Sequence, residues 1–518
     1  MKKSRTKNSA INVSVAAFSK VIYVLLSFIC RTVFIKTLGA EYLGVNGLFT
    51  NILTILSFAE LGIGNAIIFK LYKPVADGDI ERQKTLMRFY KKAYWIIGGF
   101  VLVTGILVIP FLNLIIKDIP NIWENIAFIY MLFLLNTSIS YFYTYKRSII
   151  IAHQEEYVTS IVDLFATVIM NIAQMIYLWL THNYIGYLVI QIISTVTANI
   201  IISHKANKKY PYIKDNNYTK MTKEEQKGIF NDVKSLMLYK LGYVLSNGTD
   251  NIIISSFIGV KQVGLLSNYT TVITAITSLL STAFDSLTAS IGNLNTIKDR
   301  AKKESVFYQI LLLSFFIYSY FGIAVALLSN KFISIWLGND YVLEIYIAAA
   351  LGFNLFIHGM RYVNYTFRNT LGLFKKGRLM PLFSSISNVI FSIILAQYIG
   401  MFGVLIATGL TRLLILTWYD PYLIHKNEFK TSSIRYYRTY SYYLIVTAIS
   451  AIVCYMITKS ISIQGIIGFI LNGVIITFVV FGLSILATFK LKEFRELKEK
   501  IINTPLNKIK QLQKKGEK

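Results

Sequence analysis

Residues 91–117 read KKAYWIIGGFVLVTGILVIPFLNLIIK, an apolar run with two lysines before it and one after it. The part between the lysines, 93–116, is long enough to cross a membrane as a helix, which takes about 20 apolar residues. The same pattern recurs along the chain, and it predicts an all-α polytopic membrane protein with 14 transmembrane helices. The predicted spans are 11–36, 43–69, 93–116, 124–145, 158–180, 184–203, 235–258, 263–292, 305–329, 342–367, 379–398, 402–424, 440–458 and 464–489.

Basic residues mark one side of the predicted membrane. The two terminal tails and every second connection between spans hold 43 of the 53 Lys and Arg residues, whereas the other connections hold five. Positively charged loops stay in the cytoplasm during insertion. This distribution therefore predicts a multi-pass protein of the cytoplasmic membrane with both termini in the cytoplasm.

The composition favours a membrane protein over other classes. Apolar residues make up 54% of the 518 residues, and the mean hydropathy is +0.53, which is too high for a soluble chain. The net charge of +27 is spread over all the predicted cytoplasmic loops, so no nucleic-acid partner is predicted. Anionic membrane lipids are the expected contacts of these loops.

The connections are too short to hold further domains. The longest predicted outer connection lies near 330–341, and the longest inner one is 204–234. A membrane glycan polymerase or ligase usually needs a large outer loop, so this class is disfavoured and kept as an alternative. The sequence has no phosphate-binding G-x-x-x-x-G-K-[ST] motif and no metal-ligand spacing of His or Cys, so no nucleotide, metal or cofactor is predicted.

One short motif suggests sugar transfer. Asp77-Gly78-Asp79 matches the D-x-D pattern with which many glycosyltransferases bind a metal and a nucleotide-sugar. The same residues are typical of a glycine-centred turn in a charged loop. Because no α/β domain surrounds the motif, the turn is the favoured interpretation.

The chain contains an internal repeat. When the sequence is shifted by 220 residues, 20–54 aligns with 240–274 without a gap, with eight identities in 35 positions. The identical pairs include Lys20 and Lys240, Gly39 and Gly259, and Gly44 and Gly264. Six helices separate the copies, so both have the same orientation, which is typical of transporters with parallel repeats around a central site.

The repeat predicts the domain organisation. The expected domains are an N-terminal lobe of six helices (1–210), a cytoplasmic linker (211–234), a C-terminal lobe of six helices (235–430), two extra helices (431–489) and a basic cytoplasmic tail (490–518).

Basic residues inside the predicted spans are the candidates for a binding site, because charges are costly in the bilayer and usually face a cavity. Lys20 and Arg31 are eleven residues apart on the first helix, so they share one face, about 16 Å apart along the axis. Lys20, Lys240 and Arg412 are the strongest candidates because they lie too deep to reach the interface easily. Arg361 is weaker because it can extend to the inner interface.

A cavity lined by these cations predicts an anionic or phosphate-bearing substrate, because Lys and Arg are the usual partners of phosphate. Three carboxylates at membrane depth, Glu60, Asp250 and Asp285, are candidates for binding a coupling proton or sodium ion. For Asp285, which is near a predicted cytoplasmic helix end, a capping role is an equally good explanation.

Some of these residues also carry a resemblance to a known family. Lys20-x-x-Tyr23, Arg31, GAEYLG at 39–44 and LSFAELGIGNA at 56–66 are similar to the Wzx-type polysaccharide flippases. These proteins belong to the MOP exporter superfamily, together with the lipid II flippases and the MATE drug exporters. The resemblance covers essentially the whole chain and is most specific in its first hundred residues.

The resemblance implies a V-shaped pair of six-helix lobes with two further C-terminal helices. It implies a non-enzymatic flippase that moves undecaprenyl-diphosphate-linked oligosaccharide repeat units from the inner to the outer leaflet by alternating access. The product would be capsule, exopolysaccharide or O-antigen-type polysaccharide, and the partners would include membrane lipids and other polysaccharide-assembly membrane proteins. Cavity arginines of the lipid II branch are matched here by Lys20 and Arg31 in kind and not in position. A MATE-like small-molecule exporter is a further alternative.

Overall fold

The computed structural model describes residues 5–60, 63–118, 120–215, 219, 221–295, 299–373, 376–377, 379–461 and 463–499. These residues are helical almost throughout and contain no β-strand, which confirms the predicted all-α class. The helices are α1 (Arg5–Leu38), α2 (Ala40–Leu56), α3 (Ile63–Asp77), α4 (Ile80–Val108), α5 (Leu112–Ile115), α6 (Ile126–Thr144), α7 (Arg147–Ala152), α8 (Glu156–Thr181), α9 (Tyr184–Lys209), α10 (Lys223–Phe257), α11 (Val260–Asn295), α12 (Arg300–Trp336), α13 (Ile345–Met360), α14 (Tyr362–Thr370), α15 (Met380–Thr411), α16 (Thr417–Ile424), α17 (Ile434–Lys459), α18 (Gly465–Thr488) and α19 (Lys492–Lys498).

Within the described residues, 10 helical segments are long and apolar enough to cross a membrane. One of them, Met380–Phe429, covers two predicted spans, and the chain turns inside it at Ile399 and Gly400, whose φ and ψ are not helical. Three predicted spans coincide with no such segment: 43–69, 235–258 and 342–367. The count of fourteen therefore stays a prediction.

Local breaks account for two of these three differences. The span 43–69 is interrupted by the 3-10 turn Ser57–Glu60, and 342–367 is interrupted at Arg361, between α13 and α14. The third span, 235–258, covers about the last two thirds of α10, a continuous helix of 35 residues. Hydropathy averages composition over a window, so it detects the apolar stretch and misses a break inside it.

The chain forms two compact units. Unit 1 comprises Met1–Ser278 and Pro381–Val404, and unit 2 comprises Leu279–Met380 and Leu405–Lys518. In unit 1, α1 packs on α8, α8 on α9, α4 on α6, and α2 on α10. In unit 2, α12 packs on α13 and α18, and α17 packs on α18. The lobes predicted from the repeat have other bounds and stay a prediction.

The sequence repeat appears in unit 1 as two matching helix–turn–helix corners. Gly39, between α1 and α2, and Gly259, between α10 and α11, have φ of 90° and 145°, a backbone region that favours glycine. Gly44 and Gly264 lie near the starts of α2 and α11, and a Cβ on Gly264 would lie 2.0 Å from the carbonyl oxygen of Ala40. The two copies therefore pack against each other through the glycines that align in the sequence.

The predicted linker 211–234 is partly helical. The Thr222 side chain caps α10 by accepting from the Glu225 backbone N–H, and residues 223–234 form the first turns of that helix. Arg82 of α4 lies 2.8 Å from a carboxylate oxygen of Glu225, and this hydrogen bond lowers the pKa of Glu225 from its ordinary value. The start of α10 is thus held on α4.

The D-x-D sequence forms a turn between two helices. Asp77 ends α3, Gly78 has a φ of 71°, and the Asp79 side chain accepts from the backbone N–H of Arg82 at 2.9 Å. Asp79 is therefore the N-cap of α4. This geometry supports the turn interpretation, and the described residues contain no group of three or more His, Cys, Asp or Glu that could hold a metal ion.

Candidate functional site

A cavity of about 660 Å³ lies in unit 1, among the helices of the two repeats. It is lined by α1 and α2 from the first copy and by α10 and α11 from the second. The corresponding positions Arg31 and Asn251, which are 220 residues apart, both line it. The repeat therefore builds one shared cavity from both of its copies.

One face of α1 forms the basic wall of the cavity. The lining residues of this helix are Lys20, Tyr23, Val24, Ser27 and Arg31. Their spacing of three, four, seven and eleven residues from the first places them on one face of a helix with 3.6 residues per turn. Lys20 and Arg31 thus reach the same cavity, as their shared helical face leads one to expect.

The wall formed by α11 is rich in hydroxyl groups. Five of its six lining residues carry a hydroxyl and have the same spacing as the five residues of α1: Ser267, Thr270, Thr271, Thr274 and Ser278. Helix α2 adds amide and hydroxyl groups to this lining, from Asn46, Thr50 and Asn51. Side chains of this kind both donate and accept hydrogen bonds, and so does a sugar.

The charge of the lining is positive. Lys20 and Arg31 supply it, and none of the described side chains that line the cavity is acidic. A further arginine of unit 1, Arg147, forms a bidentate ion pair with Asp163. Its Nη1 and Nη2 donate to the two carboxylate oxygens at 2.6 and 2.7 Å. The charge of Arg147 is thereby compensated within this pair. Charges in a cavity act strongly where little water screens them.

Arg31 connects the two copies of the repeat. Its Nε donates to Oδ1 of Asn268 at 2.9 Å, and its guanidinium also donates to the hydroxyl of Ser267. The Ser267 hydroxyl in turn donates to the carbonyl oxygen of Gly264 at 2.6 Å. Asn268 is fully buried. Ser267 and Asn268 carry no charge, so a search for ionisable residues inside the predicted spans does not find them.

Two further predicted cations lie in unit 2. Arg412 begins a π-helical segment that ends at Leu416, and Arg361 lies between α13 and α14. A role of Arg412 or Arg361 in substrate binding stays a prediction.

The remaining candidates lie elsewhere. Lys240 and Asp285 are in α10 and α11, and their side chains lie outside the described part of the structure. Glu60 ends the 3-10 turn after α2 and accepts from the hydroxyl of Tyr94 at 3.4 Å. Asp250 lies in α10, and neither it nor Glu60 is among the residues that line the cavity. Ion coupling by these carboxylates stays a prediction.

Unit 2 contains a buried ion pair that is not among the residues predicted from the sequence. Nη1 of Arg368 lies 2.6 Å from Oδ1 of Asp420, and these side chains are 2% and 1% exposed. Nη2 of Arg361 lies 3.8 Å from the other carboxylate oxygen of Asp420. Asp420 falls inside the predicted span 402–424, so a carboxylate within an apolar run was the available signal.

A protein-family model described as "Polysaccharide biosynthesis protein" matches residues 9–288, slightly more than half of the chain. This region contains all the residues that line the cavity. No curated protein sequence matches the chain.

Solved structures with a similar fold are membrane transporters. The lipid II flippase MurJ in an inward closed conformation is 16% identical, with a TM-score of 0.60 over 93% of this chain and 100% of that one. An inward-facing MATE-family multidrug resistance transporter of the MOP superfamily is 15% identical, with a TM-score of 0.59 over 76% and 91%. A MOP-superfamily transporter from Pyrococcus furiosus is 13% identical, with a TM-score of 0.53 over 83% and 98%. At these identities the likeness shows the fold.

Proposed function

The chain belongs to the polysaccharide biosynthesis protein family, and on that premise we propose that it is a flippase for undecaprenyl-diphosphate-linked oligosaccharide repeat units. The resemblance to polysaccharide flippases of the MOP superfamily, inferred from the sequence, is confirmed at the level of family and fold, and the chain is a multi-pass membrane protein. In the proposed reaction the lipid-linked oligosaccharide passes from the inner to the outer leaflet by alternating access. The glycan would then enter capsule, exopolysaccharide or a related surface polymer.

The observation that carries this proposal is the chemistry of the cavity. Lys20 and Arg31 provide two cations with no carboxylate in the described lining, which suits the negative charge of a diphosphate. The hydroxyl and amide groups of α2 and α11 suit hydrogen bonding to sugars. The head group is too polar to cross hydrocarbon, whereas the polyprenyl tail can stay in the lipid. No bond needs to form or break, so we propose a transporter and not an enzyme.

A flipping assay tests the proposed function. We expect the purified protein in proteoliposomes to carry a fluorescent undecaprenyl-diphosphate oligosaccharide between leaflets much faster than protein-free liposomes do. The fraction of label reached by an impermeant quencher measures the transfer. An equal rate in protein-free liposomes would refute the proposal. The control is that protein extracted from the proteoliposomes elutes as a folded species in size-exclusion chromatography.

The two alternatives give other results in separate assays. A glycan polymerase or ligase would lengthen glycan chains in purified membranes. A MATE-like exporter, which the fold likeness to MATE transporters favours, would raise drug resistance and leave the surface glycan unchanged. Either result without oligosaccharide flipping would replace the proposed function.

The proposed direction of transport depends on the orientation in the membrane, which the distribution of basic residues predicts. In a cysteine-free background, single cysteines at Asn183 and Lys459 should react with an impermeant thiol reagent added outside intact cells. Cysteines at Asp79 and Lys430 should react only after the cells are opened. All four positions are exposed, so a difference between the two pairs reports the side of the membrane. Labelling of Asp79 or Lys430 from outside would contradict cytoplasmic termini.

A further inference from the structure

The backbones of the two repeats are in contact beside Leu43 and Ser267, two residues that line the cavity, and we define this contact as its closed end. A Cβ on Gly44 would lie 2.1 Å from the carbonyl oxygen of Val260, and one on Gly264 would lie 2.0 Å from that of Ala40. The start of α2 therefore touches the start of α11 with no side chain between them. Nothing as large as a sugar passes this point while the contact lasts.

Arg31 is joined to this closed end by a short chain of hydrogen bonds. Its guanidinium donates to Ser267, and the Ser267 hydroxyl donates to the carbonyl oxygen of Gly264, the glycine at the backbone contact. Its Nε donates at the same time to Asn268. One side chain of α1 thus holds two consecutive residues of α11, and the planar guanidinium can make both contacts at once.

Asn268 supports this arrangement. Its side chain is fully buried, its Oδ1 accepts from Arg31, and its Nδ2 has no hydrogen-bond partner among the described residues. A buried polar group without a partner destabilises a fold, so the oxygen and the nitrogen of a buried amide usually both form hydrogen bonds. In Asn268 only the oxygen does so among the described residues. The contact with Arg31 is the hydrogen bond that this side chain makes across the two copies of the repeat, and it fixes the orientation of the guanidinium.

We propose that Arg31, with Ser267 and Asn268, is a latch that keeps this end of the cavity closed, and that a phosphate group of the substrate releases it. The inference rests on the proposed function insofar as the substrate bears phosphate. The acceptors that hold Arg31 here are neutral, whereas phosphate oxygens are negatively charged, so a guanidinium–phosphate contact adds an attraction between opposite charges that Ser267 and Asn268 cannot provide. Phosphate in the cavity therefore competes for Arg31.

Release follows from the difference in affinity between two states. A ligand shifts a conformational equilibrium only by binding one state more tightly than the other. In the latched state Nε and Nη2 of Arg31 are engaged with Asn268 and Ser267, and in the released state these two nitrogens are available to phosphate. Phosphate binding thus favours separation of α1 and α2 from α11 at the closed end. Asn268 acts as a positioning residue, because it acts through Arg31.

Distance measurements in the full chain test the latch. Spin labels at Lys36 and Lys261, which are both exposed, flank the closed end on α1 and α11. In nanodiscs, inorganic pyrophosphate should convert a short-distance population into a longer one, whereas sodium chloride of equal ionic strength should not. Arg31→Gln should give the longer population without pyrophosphate and should no longer respond to it. Asn268→Ala should shift the distances in the same direction.

The matched control is Asn171→Ala, which makes the same amide-to-methyl change on α8, where Asn171 bonds to its own helix. It should behave like the parent protein. The proposal is overturned if Arg31→Gln and Asn268→Ala leave the distances unchanged, or if pyrophosphate moves the labels equally in the Arg31→Gln variant. Lengthening by pyrophosphate together with failed oligosaccharide flipping would keep the latch and reject the proposed substrate. Flipping without lengthening would reject the latch alone.

Discussion

Lys20→Gln is expected to slow oligosaccharide flipping by roughly tenfold to a hundredfold and to leave the protein folded and inserted. Lys20 lines the cavity on the same face of α1 as Arg31, and the described lining contains no carboxylate. A hydrogen bond to a charged group contributes about 1.5–3 kcal/mol, and about 1.4 kcal/mol corresponds to a tenfold change in rate. The flipping rate in proteoliposomes, normalised to the amount of reconstituted protein, measures the loss.

Two further variants separate charge from other effects. Lys36→Gln makes the same change near the end of the same helix, at an exposed position that does not line the cavity, and should flip at the normal rate. Lys20→Arg should retain more activity than Lys20→Gln, because positive charge is the proposed requirement. Normal flipping by Lys20→Gln at normal expression would show that the substrate does not depend on the basic wall of the cavity.

The second large effect is on folding, at the buried pair in unit 2. Asp420→Ala removes the carboxylate that lies 2.6 Å from Arg368, a side chain that is 2% exposed. Loss of one member of a buried ion pair typically costs about 3–5 kcal/mol, because the other charge stays in a low-dielectric environment. We expect a clear fall in thermal stability, measured as the fraction that stays monodisperse by size-exclusion chromatography after heating in detergent.

The control for this variant is Asp340→Ala, which removes an exposed carboxylate from the same unit and should leave thermal stability unchanged. Asp420→Asn should lie between Asp420→Ala and the parent protein, because an amide oxygen can still accept from Arg368. If Asp420→Ala is as stable as Asp340→Ala, the Arg368–Asp420 pair does not stabilise the fold.

The parts of the molecule that follow from helical periodicity could be predicted. Lys20 and Arg31 were expected on one face of the first helix, and both line the cavity. The glycines of the repeat align in the sequence, and Gly39 and Gly259 lie at matching turns between helices, both with positive φ. The shared helical face follows from regular spacing, and the glycine turns follow from backbone chemistry. Both can be recognised in a single sequence.

Features that depend on contacts between distant segments were missed. The hydroxyl wall of α11 has a helical spacing that the sequence shows, but Ser and Thr are ordinary in membrane helices, so the pattern was not singled out. The pair of Arg368 and Asp420 joins residues of two different segments, and hydropathy averages over both. The break at Arg361 divides an apolar stretch that is continuous in composition. Tertiary packing decides such features, and the sequence shows only their components.

The backbone contact at Gly44 and Gly264 restricts the sequence divergence of the two copies of the repeat. A side chain at either position would meet a main-chain carbonyl of the other copy, at 2.1 or 2.0 Å. A second substitution in the other copy cannot compensate, because every amino acid carries the same carbonyl. No pair of substitutions can therefore replace these two glycines and keep the contact. The rest of the aligned segments has diverged, since they share only eight of 35 residues. Among descendants of the same duplication, both positions should stay glycine while the helices around them change.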